Sequence, residues 1–502
     1  MKTFEDSGES LFRLAGLNAG LLDLLVLLAV LCLGVQGKPA YGSPTNFGPL
    51  PFVLTKRPAS QYNVRMFGAC GDGVADDTAA INLALGSSTT VYFPNGRYLI
   101  NARAVAVTNV CGLSGQLKAG LIVPSNRHLI FDTNASLIVS HTKNSSYNAI
   151  IAIDETNIEI DGGKLIGDRI NQGKRTGEFG YGLVLAGCSN VLIRGFSSVS
   201  NWGDGLFLCC GAVNSGNMGV SLIDCSFSDN RRNNISILAG KKIVIENCAL
   251  LRAKGTAPQS GIDIEPDMGN LLGIAPEVSS VIISNCLIQN NTSSGIDFQH
   301  APKDKRVVIR DITVSGCLVE SNGQSGIYHG SLTQGGICIT NNVIRCNSVR
   351  GLNLTGMRNS FICNNIISSN GSYGIELSSS RDCSISKNIF WNNCVSKPAS
   401  FSQFQMINLA SKNKVIENEF LAERAVCVPV SNLNITNQRL YYCLRNVVEG
   451  NIFYKGSALA DMVDNGILTE CHSNQFGILA NSPAVAILSA TPSSQDRPAR
   501  LP

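Results

Sequence analysis

The stretch SGIDIEPDMGN, residues 260 to 270, sets Asp263, Glu265 and Asp267 at alternate positions in a chain that is only 15% charged. A matching GIDF at 295–298 adds Asp297, followed closely by Gln299. Paired carboxyls have recognisable uses. A carboxylic acid and a carboxylate roughly 5 to 9.5 Å apart flank the scissile bond in glycosidases. Clustered oxygens hold Ca²⁺, which neutralises a uronate carboxylate during β-elimination. That elimination also needs a base, for which Arg231 and Arg232 in DNRRNN are the nearest candidates. The third reading gives the acids no chemistry and leaves them on a solvated sheet face.

Other residues gather around the same part of the chain. Trp202 and Asp204 in NWGD precede the acids, and Tyr328 and His329 in YHG follow Asp297. A tryptophan or tyrosine stacks on a pyranose face, and a histidine can move a proton. A lone histidine is more often simply hydrogen-bonded, and a lone tryptophan is more often packing.

What must position these groups is a repeat. The segments VSLIDCSF, KIVIENCAL, VIISNCLI, ITVSGCLV, ICITNNVI, SFICNNII, CSISKNIF, KVIENEF and VVEGNIF share one plan: a β-branched run, then Cys or Asn, then an apolar residue. The aligned positions run Cys225, Cys248, Cys286, Cys317, Asn342, Asn365, Asn388, Asn418 and Asn451, spaced 23 to 38 residues apart. Out of phase runs a second motif, Gly then apolar-x-apolar, at Gly182, Gly205, Gly261, Gly295, Gly326, Gly351 and Gly374. Two short strands per repeat, without a helical period between them, predict a coil of stacked parallel strands. Equivalent residues then lie about 4.8 Å apart on successive turns. The register places Asp263 over Asp297 and Glu265 over Gln299, facing outward. Like charges so stacked repel, which raises a pKa or recruits a cation. The 38-residue interval between Cys248 and Cys286 holds the acidic stretch and must emerge as loops, where function tends to sit.

Composition narrows the class. The chain is 44% apolar with 49 Gly and only 17 Pro, so it is ordered and rich in turns. A net charge of +4 without a long basic run leaves no footprint for nucleic acid. The 18 cysteines contain no CxxC pair, and four of them, Cys225, Cys248, Cys286 and Cys317, fall on the ladder, which predicts buried free thiols instead of zinc ligands or disulfides. Residues 1–37 carry the apolar run Leu24 to Val35 behind Lys2 and Arg13, the pattern of a signal peptide, with an uncleaved anchor or a virion-attachment segment as the other readings. A linker follows at 38–60, the coil at 61–455, and a weakly patterned cap or tail at 456–502. DDTAAINLALG, 76–86, predicts one short helix, with Asp76 and Asp77 as its caps and Asp72 equally structural.

NVRMFGACGDGVADDTAAINLAL followed by TVYFPNGRYLI, residues 63 to 100, closely resembles the opening of the pectate-lyase-like right-handed β-helix proteins. NWGDGLFL, DNRRNNISI and GTAPQSGIDIEP extend the resemblance to a rhamnogalacturonase- and epimerase-like subset, which includes phage tailspike depolymerases. The resemblance covers about residues 61 to 455. It implies an all-β, single-stranded right-handed parallel β-helix with an N-terminal capping helix, and carbohydrate along one outer sheet. It also implies work outside the cell, secreted or on the cell surface, or on a virion, and a homotrimer as in tailspikes. The catalytic sets of polygalacturonases and the Asp-Pro-His of alginate epimerases are absent, so the resemblance does not fix a reaction. The expectation is hydrolysis of a complex or acidic polysaccharide by Asp263 with Glu265 or Asp297, assisted by Asp204. Trp202, Arg231, Arg232, Asp267, Gln299, Tyr328 and His329 would bind substrate. Hydrolysis asks for no cofactor, and Ca²⁺ enters only with a lyase. A lyase, a uronate epimerase and a non-catalytic glycan-binding or attachment protein are the alternatives.

Overall fold

The structure, a computed structural model, describes residues 62–478 except 108–117, 145, 174–175, 213–215, 267–275, 300–306, 331–334, 397–400, 422–430, 436–441 and 456–459. The expected leader and linker, and Asp267, lie outside the described residues. Among the described residues the chain winds a right-handed coil whose strands form three sheets of 15, 15 and 14 strands. The described pairings are parallel except for Val105–Ala106 against Lys118–Ile122.

One turn shows the plan. Asn217–Ile223 lies in the first sheet, Ser226–Ser228 in the second and Ile235–Ile237 in the third. The next turn repeats it with Gly240–Glu246, Ala249–Leu251 and Ile262–Ile264. Each turn therefore carries three strands, where the repeat predicts two. The single β-branched motif is in fact two strands joined at a corner, and the corner is one residue in the left-handed region. Asp224, Asn247, Asn285, Asn341 and Asn364 have φ between 53° and 57°. Asn and Asp tolerate that conformation, and a single such residue redirects the chain without interrupting the hydrophobic alternation. This is why the bend is invisible to a pattern of apolar residues.

The ladder residue follows the corner and points inward. Asn365 donates from Nδ2 to Asn388 Oδ1 at 2.9 Å and to the Ile339 carbonyl at 2.9 Å. Its own Oδ1 accepts from the Asn342 amide N–H and Nδ2, at 3.0 and 2.9 Å. The same unit repeats through Asn418, Asn451 and Asn474. On earlier turns a thiol fills the position and donates more weakly to the same class of carbonyl, as Cys286 Sγ does to Ile245 at 3.5 Å. Every cysteine among the described residues is a free thiol. A second amide ladder, Asn291, Asn322, Asn347, Asn370 and Asn393, sits at the following corner and was hidden by the uneven repeat lengths.

The opening motif is structural. The helix runs Thr78–Ser87 and buries Ile81, Ala84 and Leu85 against the first turns, with Gly86 inside it and Ser88 as its C-cap. Asp76 accepts from the Thr78 amide at 3.0 Å. Asp77 makes no cap bond and instead accepts from the Cys70 and Gly71 amides, tying the glycine turn to the helix start. Asp72 accepts from the Val74 and Ala75 amides. At the far end the coil passes the expected boundary at 455 and continues through Gln475–Ile478.

Asn365→Ala removes four ladder bonds and strands buried amide groups on both neighbouring turns. Urea denaturation should show a loss on the order of 3 kcal/mol or more, since each buried orphan costs about 1–3 kcal/mol. Cys286→Ala, which removes only weak thiol bonds, should cost clearly less.

Candidate active site

The third sheet carries the acids. Ile262 and Ile264 point into the core, so Asp263 between them points outward. Asp263 pairs in register with Asp297 on the next turn and with Ser236 on the previous one. Asp297 pairs in turn with Tyr328. The stacking expected from sequence is present, with one difference. Outward does not mean exposed: Asp263 is 1% and Asp297 2% accessible.

A polar network accounts for part of this burial. Asn233 Nδ2 donates to Asp263 Oδ2 at 2.9 Å and to Ser236 Oγ at 3.0 Å. Asn233 is itself held by the Ser260 amide, which donates to its Oδ1 at 2.9 Å. Asp297 Oδ2 accepts from Gln299 Nε2 at 3.0 Å and from Ser260 Oγ at 3.4 Å. In both acids the remaining oxygen, Oδ1, is buried without a hydrogen-bond partner among the described residues. A buried carboxylate oxygen left so is costly, and the cost falls if the group holds a proton or meets a ligand.

The electrostatics follow. Burial, then the charges of Glu265 and Asp297, hold Asp263 well above the ordinary carboxyl range, against the lowering pull of Arg232. Burial lifts Asp297 to about 6 even though the bonds from Gln299 and Ser260 pull it down, and the charge of Glu265 adds to the rise. Glu265 stands at the end of the strand, half-buried, beside both.

Several expected site residues take other roles. Asp204 is fully buried and bonded to Arg232 Nη1 at 2.8 Å, Ser236 Oγ at 2.8 Å and the Asn233 amide at 2.9 Å. It positions Asn233 and Ser236 through these bonds. Arg232 bridges Asp204 and Glu178; burial alone would lower its pKa, but the surrounding negative charges outweigh this and leave it raised. That removes Arg232 as a base. Trp202 is in the core, and the Arg231 guanidinium covers its ring at 4.0 Å, so it offers no sugar platform. Arg231 also donates to the Gly177 carbonyl. His329 falls on the inward parity: its Nδ1 pairs with the Thr355 carbonyl at 2.8 Å and its ring packs on Phe298. Tyr328 pairs in register with Asp297 on the outward parity. A Cβ at Gly330 would lie 2.4 Å from the Tyr328 hydroxyl, so the phenol lies along the strand over a glycine and beside Asp297. Asn233, Ser236 and Ser260 are the members that sequence reasoning missed. Only the doublet of asparagines after Arg232 marks them.

A separate group, His128, Glu159 and Asp161, has ligand atoms within 4.8 Å of one another. Arg194 already occupies it, with Nε 2.7 Å and Nη2 2.9 Å from the Asp161 oxygens. Burial would raise Asp161, yet the bonds from His128 and Arg194 bring it down to about 2. The group reads as an ion-pair network on the first sheet.

The comparisons with known proteins agree with this architecture. A family model described as rhamnogalacturonase A/epimerase, pectate lyase-like, matches residues 61–319, and one described as a right handed β-helix region matches 277–420. The uncharacterized protein YclG of Bacillus subtilis is 31% identical over 260 residues, 47% of this chain and 43% of YclG, so the chain aligns with less than half of that relative. The N-terminal fragment of bacteriophage phi29 gene product 12 superposes with a TM-score of 0.60 at 17% identity, covering 83% of this chain and 71% of the fragment. The A-module of the mannuronan C-5 epimerase AlgE4 of Azotobacter vinelandii gives 0.56 at 16% identity, covering 81% and 98%. At these identities the two structures speak for the fold.

The raised Asp297 has a consequence for stability. Its folded pKa exceeds the unfolded one, so the folded state binds the proton more tightly. The penalty is absent below the unfolded carboxyl value of 3.8, grows as pH rises, and is complete above about 6. Relative to Asp297→Asn, the wild type should lose on the order of 3 kcal/mol between pH 4 and 7 in urea unfolding. A difference between the two proteins that does not change with pH would contradict the assignment.

Proposed function

The chain belongs to the rhamnogalacturonase A/epimerase, pectate lyase-like family, and from that footing we propose that it degrades a complex or acidic polysaccharide by acid–base hydrolysis on the third sheet. The observation that carries this reading is the pair Asp263 and Asp297: stacked on successive turns, buried, each with one oxygen that has no partner among the described residues and each with a raised pKa. A carboxyl that keeps its proton near neutrality is what a leaving glycosidic oxygen requires.

In this proposal Asp263 is the general acid. Glu265, about 6.5 to 7 Å along the same strand, is the partner that activates water or attacks the anomeric carbon. The charge of Asp297 adds to the rise of Asp263, while Gln299 orients Asp297. Tyr328 supplies the flat surface for the sugar next to the acids. Asp204, Arg232 and Asn233 hold the Asp263 side chain in place through the bonds described above. No step here routes through a metal. Action outside the cell, on its surface or on a virion, and assembly as a trimer, go with this proposal.

Asp263→Asn should lower cleavage at least about 100-fold, the range of a lost general acid, without unfolding the coil. The substrate panel should include rhamnogalacturonan, homogalacturonan and alginate. New reducing ends without ultraviolet absorbance from an unsaturated uronate mark hydrolysis. Unsaturated ends would instead establish a lyase, and inversion at C-5 without cleavage an epimerase. Full activity in Asp263→Asn removes the assignment of the acid, and binding without any of these products removes the enzyme.

A further inference from the structure

The corner that joins the second sheet to the third collects cations. It follows Lys164–Ile166, Ser226–Ser228 and Ala249–Leu251 on turns leading to the acids. Arg169 comes after the first of these strands, Arg231 after the second, and Arg252 and Lys254 after the third. The coil brings them together. The Lys254 amide donates to the Asn230 carbonyl at 2.9 Å, so Lys254 stands one turn beyond Arg231. Arg169 reaches across two turns and donates from Nη1 to the Asp229 carbonyl.

The carboxylates of this corner are committed to other groups. Arg252 takes both oxygens of Asp229, at 2.8 and 2.7 Å. Arg232 holds Asp204 and Glu178, and Tyr147 and Gln172 hold Asp168. Arg169, Arg231 and Lys254 are left without a carboxylate partner among the described residues. The two guanidiniums are half-buried, and each is fastened by a main-chain carbonyl, Arg169 by Asp229 and Arg231 by Gly177. Trp202 backs the Arg231 plane at 4.0 Å. Burial holds Arg169 below the ordinary arginine range, with the charge of Arg231 adding to the fall and that of Asp229 opposing it. Burial lowers Arg231 as well, against the pull of Glu178. Two like charges, partly stripped of water and close enough to repel, are costly without a counter-ion. After one bond to a carbonyl, each guanidinium still presents most of its N–H groups in a fixed plane, the geometry that an oxyanion accepts.

We infer that this corner is an oxyanion site, in which Arg169, Arg231 and Lys254 together take a phosphate group, free or as a monoester. Two guanidinium forks grip different edges of a tetrahedron at once. Such a phosphate carries about −1.5 to −2 at pH 7, which answers three cations better than the single charge of a carboxylate does. Arg169 and Arg231 are partly accessible and Lys254 is exposed, so the group meets them from solvent. The site uses neither Asp263, Glu265 nor Asp297, and it stands or falls apart from the proposed hydrolysis.

Calorimetric titration of the full chain at constant ionic strength tests this with inorganic phosphate, glucose 6-phosphate and galacturonate. One site that takes phosphate at least about tenfold more tightly than galacturonate is expected. Arg169→Gln and Lys254→Gln should each weaken phosphate about tenfold, the loss of one charge-assisted contact. Neither side chain belongs to the core, and a wild-type midpoint in urea certifies the fold of each variant. Arg310→Gln, which removes an exposed cation paired with Glu277 on the first sheet, should leave phosphate binding unchanged. Tighter binding of glucose 6-phosphate than of inorganic phosphate marks an ester as the ligand, the reverse marks the free ion, and both support the site. Phosphate bound no more tightly than galacturonate overturns it. So does phosphate binding that Arg169→Gln and Lys254→Gln leave intact, or that Arg310→Gln weakens to the same degree.

Discussion

Everything in this protein depends on the spacing of stacked parallel strands, about 4.8 Å per turn. That spacing suits an amide. One asparagine carboxamide spans the gap, donates to the turn on one side and accepts from the turn on the other, as Asn365 does between Asn342 and Asn388. Two such ladders run at successive corners, so slipping the coil by one residue would strand a row of buried amides. Register is therefore set by hydrogen bonding at the corners as well as by the hydrophobic interior.

The same spacing is poorly suited to two carboxylates. Asp263 and Asp297 sit on adjacent turns because the ladders fix the register, and burial removes the water that would screen them. The result is a raised Asp263, lifted by burial and by the charges of Glu265 and Asp297, where a solvated sheet face would leave ordinary carboxylates. Surrounding groups make this arrangement firm: Arg232 is tied to Asp204, Asp204 to Ser236 and Asn233, and Asn233 to Asp263. A cation thus acts on the acids at one remove, so it steadies the network without forcing Asp263 to ionise.

Much of this was legible in the sequence, and the failures share one cause. Repeats of Gly-apolar-x-apolar placed Asp263 over Asp297 correctly because the period of a strand is strict. The thiol ladder and the helix beginning near Asp76 followed from equally local signals. The third strand per turn was not visible, since one left-handed Asn or Asp bends the chain without disturbing the apolar alternation. Alternation also says which way a side chain leaves the sheet and nothing about what folds over it. Hence Asp263 read as surface and is buried, while Trp202, offered as a platform beside the more common packing role, packs in the core under Arg231. His329 was misplaced for a simpler reason: it follows Tyr328 by one residue, and one residue is the other face.

The central claim is that burial and the neighbouring carboxylates hold Asp263 well above the ordinary carboxyl range in the folded protein. Infrared spectroscopy of the wild type and of Asp263→Asn, with carbon-13 label in aspartate, tests it without needing a substrate. The account predicts a protonated carboxylic-acid band that persists above the ordinary carboxyl range, shifts with the label and is lost in Asp263→Asn. A band that disappears within the ordinary carboxyl range, or that Asp263→Asn leaves unchanged, would contradict it.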